Sequence, residues 1–408
     1  MRVLYYHQHF STPQGALGIR SYQMAQTLIK QGHQVTMVCG SYKGGTTGLS
    51  EPFRRGMREG LVNGIWVIEF ELPYSNYDNF WQRSLTFLRF AIRSISVLFQ
   101  PKYDLIFASS TPLTTGIPGI IGRWFLNKPF VFEVRDLWPE LPRAMGVIRH
   151  PMIIWLLTIL EWITYHSAHH CIGLAPGICR GIRQRGIPPE RITLVPNGCD
   201  LNLSRPSESV KHPDLIPGVR SDQFVAAFTG AHGLANGLDA ILDVAVELKH
   251  KGRGDICLVL IGDGKCKPEL MRRATEMALN NCLFIEPIPK LQLLNWLTKS
   301  VHIGLVVLKD VPAFQYGTSP NKFFDYIACG LPIINNYPGW LADLITEYQC
   351  GLAVPPNNPK AFAEALTLLA DNPDIRSQKG KNARSLAETH FNRDNLSQQW
   401  VQILEKLI

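Results

Sequence analysis

The sequence predicts an α/β protein made of two doubly wound domains with parallel sheets. Three observations predict it. Short apolar runs alternate with helical patterns up to about residue 200, the rhythm breaks over 201–222, and it restarts at 223. Strands that alternate with helices need crossover connections, and such connections join parallel strands.

In the first half "RVLYYH" reads as a buried strand, and "GIRSYQMAQTLIKQGH" follows as a helix stopped by Gly32. The strands "QVTMVCG" and "GIWVIEF" come next, then a long helix near 80–99 and the strand "DLIFAS". Helices near 113–126 and 152–168 flank the strand "PFVFEVRD", and "CIGLA" and "RITLVPNG" close a domain over 1–200. "LNLSRPSESVKHPDLIPGVRSD" mixes proline with polar residues and holds no period, so 201–222 reads as an interdomain linker. The second domain, 223–390, opens with "FVAAFTG", "GLDAILDVAVELKHKG" and "DICLVLIGDG". It continues through "CLFIEP", "HIGLVVL", "PIINN" and "GLAVPP", with helical patterns between. The last stretch, 391–408, is amphipathic and is expected to pack back across the domain junction. Two such domains place a cleft between the carboxyl ends of their sheets, where ligands bind.

The composition narrows the function. The chain of 408 residues is 46% hydrophobic and 18% charged, enough apolar mass for large cores. A net charge of +8 favours anionic partners such as nucleotides and phosphates. The nine cysteines are scattered and form no CxxC pair, which reads as buried thiols in a reducing compartment without structural zinc. No apolar run reaches the ~20 residues needed to span a bilayer. "PMIIWLLTILEWITYHSAHH" is interrupted by Glu161 and reads as a core helix. The first residues do not resemble a signal peptide, so a cytoplasmic protein is expected. No stripe of interleaved aromatic and basic residues supports nucleic-acid binding.

Several stretches carry chemistry. In "SPNKFFDYIACGLPI", Ser319, Pro320 and Asn321 lead into a helix whose N-terminal N–H groups suit an anion. Lys322 adds a charge there and Asp325 follows one turn on. The competing reading is an N-capped helix with a solvated lysine and a paired carboxylate. "TGAHGLANGLD" ends a strand in a glycine-rich loop, and Gly230 and Gly233 let backbone approach phosphate. His232 in this loop either adds a cation or bonds its own backbone. Gly262 ends the strand "LVLIGDG" in a turn at the same edge, and "FIEPIPK" offers backbone to a base. In "EVRDLWPE", Arg135 can hold a phosphate or a sugar, and Asp136 or Glu140 can orient an acceptor hydroxyl. Alternatively Arg135 and Asp136 form an ion pair that shapes the loop. "STPQGALGIRSYQ" places Gly15 and Gly18 before a helix start, with Arg20 either facing the cleft or solvated. The GxGxxG pattern is absent, so dinucleotide binding is not supported. "NFWQRSLTFLRFAIRSISVLFQPKYD" alternates apolar residues with Arg83, Arg89, Arg93 and Lys102. It suits either a membrane-surface helix or one packed on its own sheet.

Taken in order, "GIRSYQMAQTLIKQGHQV", "PFVFEVRDLWPE", "ITLVPNGCDL", "GAHGLANGLDAIL", "LVLIGDG" and "SPNKFFDYIACGLPI" resemble the GT-B glycosyltransferases of family 4 over nearly the whole chain. Within them the chain is similar to bacterial cell-surface polysaccharide transferases of the type that includes N-acetyl-L-fucosaminyl transferases. The resemblance implies the GT-B fold, with two Rossmann-like domains facing across a cleft. It implies retaining transfer from a nucleotide diphospho-sugar, with UDP favoured, and no metal requirement. A lipid-linked saccharide acceptor would put the protein at the inner membrane surface. The family's pair of glutamates on the loop and helix falls on Gly317 and Asp325, the second of which would bind the ribose. Gly317 lacks the side chain, which points to an atypical sugar such as a deoxy sugar. The arginine and lysine that relatives carry for the leaving diphosphate read Ala231 and Asn236. Arg135 stands where many relatives have histidine. A sugar-nucleotide epimerase and a non-catalytic homologue with a decayed site are the rival readings.

Overall fold

The structure, a computed structural model, describes residues 1–408 except 43, 76, 101, 205 and 207–210. The chain divides into two compact units. The first comprises Met1–Pro196, Tyr316–Ser319 and Asp394–Ile408; the second comprises Asn197–Gln315 and Pro320–Arg393.

In the first unit the elements run β1 (Arg2–Tyr6), α1 (Arg20–Lys30), β2 (Gln34–Gly40), β3 (Met57–Val62), β4 (Ile65–Phe70), α2 (Phe80–Val97) and β5 (Leu105–Ser109). They continue with α3 (Gly116–Phe125), β6 (Phe130–Val134), α4 (Glu140–Ala144), α5 (Pro151–Ser167), β7 (His170–Gly173), α6 (Pro176–Gln184) and β8 (Ile192–Leu194). The sheet order is β3-β4-β2-β1-β5-β6-β7-β8. Every neighbouring pair is parallel except β3–β4.

Strand alternation sorts the side chains onto two faces. Val3, Tyr5, Met37 and Phe107 join Met24 and Leu28 of α1 in one core. On the other face Phe70 meets Phe90 of α2, and Phe132 meets Tyr165 of α5. Tyr6 on that face donates from its hydroxyl to the Ser94 carbonyl of α2 (3.1 Å). The helix α3 lies between α2 and α5. It sits close to the sheet because it has glycine where a Cβ would collide: a Cβ on Gly119 would fall 2.1 Å from Phe130 and one on Gly122 2.0 Å from Ile106.

The second unit runs β9 (Phe224–Thr229), α7 (Asp239–His250), β10 (Ile256–Ile261), α8 (Lys267–Glu276), β11 (Cys282–Ile285), α9 (Lys290–Lys299), β12 (Ile303–Val306), α10 (Pro312–Gly317), whose last two residues belong to the first unit, and α11 (Asn321–Ala328). It ends with β13 (Ile333–Asn335), α12 (Trp340–Glu347), β14 (Gly351–Ala353), α13 (Pro359–Asp371), α14 (Pro373–His390) and α15 (Arg393–Glu405). Its parallel sheet has the order β11-β10-β9-β12-β13-β14. From Asp394 on, α15 belongs to the first unit, where Trp400, Val401 and Leu404 enter the core with Tyr5 and Phe107.

Three expectations change. The described part of 201–222 is built into the second unit, and part of that stretch, 205 and 207–210, lies outside the described residues. It is tied down by a 3-10 turn at Pro213–Leu215, by the fully buried Ile216, and by a bond from the His212 N–H to the Lys299 carbonyl (2.7 Å). β3 was not expected, because "MREGLV" carries charge and a glycine, as edge strands do. α5 is not a core helix: Met152, Trp155, Leu156, Ile159 and Trp162 are exposed along one side.

Candidate functional site

In the second unit the expected residues gather at the carboxyl edge of the sheet. β9 ends at Thr229, whose N–H donates to the Tyr326 hydroxyl (2.9 Å), and that hydroxyl donates to the Ala227 carbonyl (3.1 Å). This pins α11, through Tyr326 in its second turn, to the end of β9. The next residue, Gly230, has φ +133°, and Gly262 at the end of β10 has φ +151°. A Cβ on Gly262 would lie 1.9 Å from the Gly230 carbonyl oxygen, so the two loops touch only because residue 262 is glycine. Gly233, two residues past Ala231, faces open space.

Lys322 sits in the first turn of α11, which begins after Pro320 with no side-chain cap. The lysine is buried rather than solvated. Its Nζ donates to Asn236 Oδ1 (2.9 Å) and lies 3.9 Å from the Phe228 ring centroid. Asn236 in turn donates from Nδ2 to the Ala231 carbonyl (2.7 Å). Asn236 therefore does not merely lack a charge: it fixes the loop and aims the ammonium. Burial pushes the Lys322 pKa down to about 7. Asp325, one turn on, is buried and bonds Lys290 at 2.5 Å. The carboxylate's partner is thus Lys290, not Lys322.

His232 is corrected. Its ring is fully buried and both ring nitrogens are unpartnered, while its backbone bonds the Asp263 carbonyl and the Cys266 N–H (both 2.9 Å). Burial, then the charge of Lys267, lowers its pKa to about 4. It is neutral at physiological pH and does not replace the missing cations.

Lys290 was not singled out from the sequence, yet a signal existed. Lys267, Lys290 and Lys322 each stand in the first turn of a helix, where the dipole disfavours a cation. All three are buried. A lysine that breaks this local rule three times at one sheet edge marks a place where something outside the helix sets the residue. Lys267 is satisfied by the Gly262 carbonyl (3.0 Å) and Glu286 (2.6 Å).

In the first unit, Arg135 and Asp136 follow β6. They do not pair with each other. Arg135 donates to His7 Nε2 (2.9 Å), and Asp136 Oδ2 accepts from the Thr111 hydroxyl (2.9 Å). Arginine only donates, so His7 Nε2 accepts and its Nδ1–H points to Ser21 Oγ, 2.8 Å away. Burial raises the Asp136 pKa, against the pull of Thr111 and Arg135. Its carboxyl is therefore more basic than an ordinary aspartate. Glu140 is exposed at the start of α4.

Arg20 is neither solvated nor free to meet a ligand. It is fully buried, bonds Glu133 Oε2 at 3.0 and 2.8 Å, and donates to the Pro196 (2.7 Å) and Val195 (2.9 Å) carbonyls. Ser109 donates to the other Glu133 oxygen (2.7 Å). Gly15 is buried, and a Cβ there would strike Ser11 Oγ at 2.3 Å, so its small size serves loop packing. Gly18 is half-buried just before Ile19, which caps α1.

Residues 17–203 match Glycosyltransferase Family 4, and residues 216–386 match Glycosyl transferases group 1. The chain carries these two glycosyltransferase domains in tandem. Its fold is GT-B. Sucrose-phosphate synthase from Thermosynechococcus elongatus superposes with a TM-score of 0.77 at 17% identity, covering 100% of this chain and 98% of that one. Anabaena HepE in complex with UDP and glucose gives 0.71 at 17% identity, covering 99% of each. By sequence the chain is similar to a D-inositol 3-phosphate glycosyltransferase of Kribbella flavida, 26% identical over 207 residues, 48% of this chain and 47% of that protein. The chain spans about half the length of the curated relatives it matches.

Proposed function

We propose that this GT-B chain transfers a sugar, with retention, from a UDP-sugar to a lipid-linked saccharide at the inner membrane surface. In this reading the chain works in cell-surface polysaccharide synthesis, such as that of O-antigen. UDP as carrier is supported by the UDP complex of the HepE structure and by the lysine-rich edge of the second unit. Lys322 and the first-turn N–H groups of α11, reached through Ser319, Pro320 and Asn321, take the diphosphate. Gly230, Gly233 and Gly262 allow its approach, and Asp325 takes the ribose. The charge that develops as the diphosphate leaves is met by these groups, and no metal is invoked. Arg135 and Asp136 serve the reacting sugars, with Glu140 on the acceptor. A Cβ at Gly317 would meet nothing within 4 Å, which supports an N-acetylated or deoxy hexose where relatives place a glutamate.

One observation carries the lipid-linked acceptor. α2, α3 and α5 form a layer that exposes Trp81, Leu85, Leu88 and Ile92; Trp124 and Phe125; and Met152, Trp155, Leu156, Ile159 and Trp162. α2 and α3 contain no Asp or Glu. The sole acid of α5, Glu161, is buried and paired with Arg185 (2.8 Å). Exposed Arg89, Lys102 and Arg149 border the layer. An apolar face with a basic rim and no exposed carboxylate suits an anionic bilayer surface. Among the described residues no helix is long and apolar enough to cross a membrane.

Vesicle co-sedimentation tests this. The protein should bind phosphatidylglycerol-containing vesicles in a salt-dependent way and bind phosphatidylcholine vesicles more weakly. Arg89→Gln should weaken binding about fivefold, from ~1 kcal/mol per basic residue near the surface. Trp81→Ser should weaken it more than about tenfold, since burying a large apolar side chain is worth about 1.5–3 kcal/mol. Equal partitioning of wild type and both variants would remove the membrane from this reading.

A further inference from the structure

One buried pair of charges in the second unit joins two parts of the chain that are far apart in sequence. Lys290 is the first residue of α9, at the end of the stretch that follows β11. Asp325 lies in the second turn of α11. Lys290 Nζ stands 2.5 Å from Asp325 Oδ2, and the two side chains are only 8% and 11% exposed. Neither helix gains from the arrangement. A cation in a first turn opposes the helix dipole, and a buried ion pair gives up solvation on both sides.

The pair has bonding capacity left over. An ammonium carries three N–H donors, and one of them goes to Asp325. Among the described residues nothing else accepts from Lys290 Nζ, and nothing else donates to the Asp325 carboxylate. Spare donors therefore stand beside a spare acceptor oxygen. A hydroxyl uses both, because it donates to the carboxylate and accepts from the ammonium. A phosphate would meet the ammonium and be repelled by the carboxylate.

Position says which hydroxyl this is. Asp325 is three residues past Lys322, so the two are neighbours on one side of α11. Lys290 closes "FIEPIPK", the stretch that offers backbone to a base. Phosphate, ribose and base are joined in that order in a nucleotide. Lys322, the Lys290–Asp325 pair and this stretch are joined in the same order, by one helix turn, the 2.5 Å contact and the chain itself. The neighbouring Tyr326 ties α11 to β9, which holds Asp325 in place.

We propose that Lys290 and Asp325 form a ribose clamp that reads the 2′-hydroxyl, so that this chain takes sugars carried on a ribonucleoside diphosphate and rejects those carried on thymidine diphosphate. This rests on the reading of the second unit as the donor side, in which Asp325 takes the ribose. It adds Lys290 as a binding residue and the exclusion of deoxyribonucleotides. Without the 2′-hydroxyl the ammonium keeps unmade bonds in a place nearly closed to water, and sites built around a hydroxyl discriminate against ligands that lack it.

The test is calorimetric titration of the full chain with UDP, 2′-deoxyuridine diphosphate and uridine. Wild type should bind UDP at least about tenfold more tightly than the deoxy form. Lys290→Met should weaken UDP and bring the two diphosphates within about threefold of each other, while the ratio of UDP to uridine affinity stays as in wild type. Lys267→Met, a change at the other carboxylate-bound lysine of this edge, should keep the preference for UDP over the deoxy form. Equal binding of UDP and its deoxy form by wild type overturns the clamp, whatever the variants do, and leaves the donor reading standing. A Lys290→Met protein that loses the UDP-to-uridine ratio but keeps the preference over the deoxy form makes Lys290 a phosphate ligand and overturns the clamp as well. The same loss of preference in Lys267→Met as in Lys290→Met ties it to loop packing, with the same consequence. Binding of none of the three by wild type removes the donor reading together with the clamp.

Discussion

Lys322→Ala is expected to lower turnover by about 10²–10³-fold, the loss typical when one preorganised donor to a developing anion is removed. UDP release from the UDP-sugar measures it. Among the three buried lysines of the second unit's edge, this is the one whose described partners, Asn236 and the Phe228 face, are both uncharged. Lys267 and Lys290 already hold carboxylates. Its ammonium is therefore available to a diphosphate. With its pKa lowered to about 7, half of the free protein carries the charge near neutrality. A bound diphosphate favours the ammonium, so UDP binding takes up a proton above pH 7. Affinity should then fall by up to about tenfold for each pH step of one above that point, because one proton enters with each UDP bound. Calorimetry in two buffers of different ionisation enthalpy reads the proton directly.

The same residue makes an opposite prediction for stability. The unfolded chain holds the proton up to the ordinary lysine value of 10.5, the folded one only to about 7. Between these values the unfolded state binds more protons, so stability rises with pH across the window. Below about pH 7 the full cost of a buried ammonium is present. Lys322→Met should thus melt above wild type at pH 6, with the gap closing as pH rises. A variant with wild-type UDP release and an unchanged pH profile would move the donor site elsewhere.

What was legible in the sequence follows from how local each feature is. "FVAAFTG" and "ICLVLIG" announce strands buried on both faces, because parallel strands covered by helices need no polar alternation. α5 misled for a related reason. A helix that is apolar on every side reads as core, and only the packing shows that Trp155, Leu156 and Ile159 stay exposed. Lys322 and Asp325 were found by position on a helix. Their partners were not, because Asn236 and Lys290 lie far away in sequence and meet them only through the sheet. His232 had the right loop and the wrong environment. Burial, which decides whether an imidazole carries charge, is not a property of the loop's own residues. Arg20 shows the same limit: one turn into a helix, nothing nearby reveals that Glu133 and the backbone at Val195 await it.

Arg20→Met is expected to destabilise the first unit by about 3–5 kcal/mol, the cost of leaving one half of a buried ion pair uncompensated. The Glu133 carboxylate would keep Ser109 but lose both guanidinium bonds, and the Val195 and Pro196 carbonyls would lose their donor. Those two residues stand just after β8, where the first segment of the first unit ends. Arg20 therefore joins three strands at the sheet's carboxyl edge, since it leaves the end of β1 through α1, bonds β6, and ties down the exit of β8. The first unit's transition should move down by roughly 6–20 °C, at about 2–4 °C per kcal/mol for a unit of this size. Acid should separate wild type from variant as well. Burial pushes the Glu133 pKa up, but Arg20 and Arg135 outweigh it and the net value is lowered. A lowered carboxylate contributes stability that is present above its unfolded value and is lost as pH falls through the folded one. The variant should thus begin to unfold at a higher pH than wild type. The double change Arg20→Met with Glu133→Leu should recover much of the loss, because a matched apolar pair leaves no charge stranded. If Arg20→Met melts with wild type, the buried pair does not hold this edge together, and the placement of Arg135 and Asp136 beside it must be explained by β6 alone.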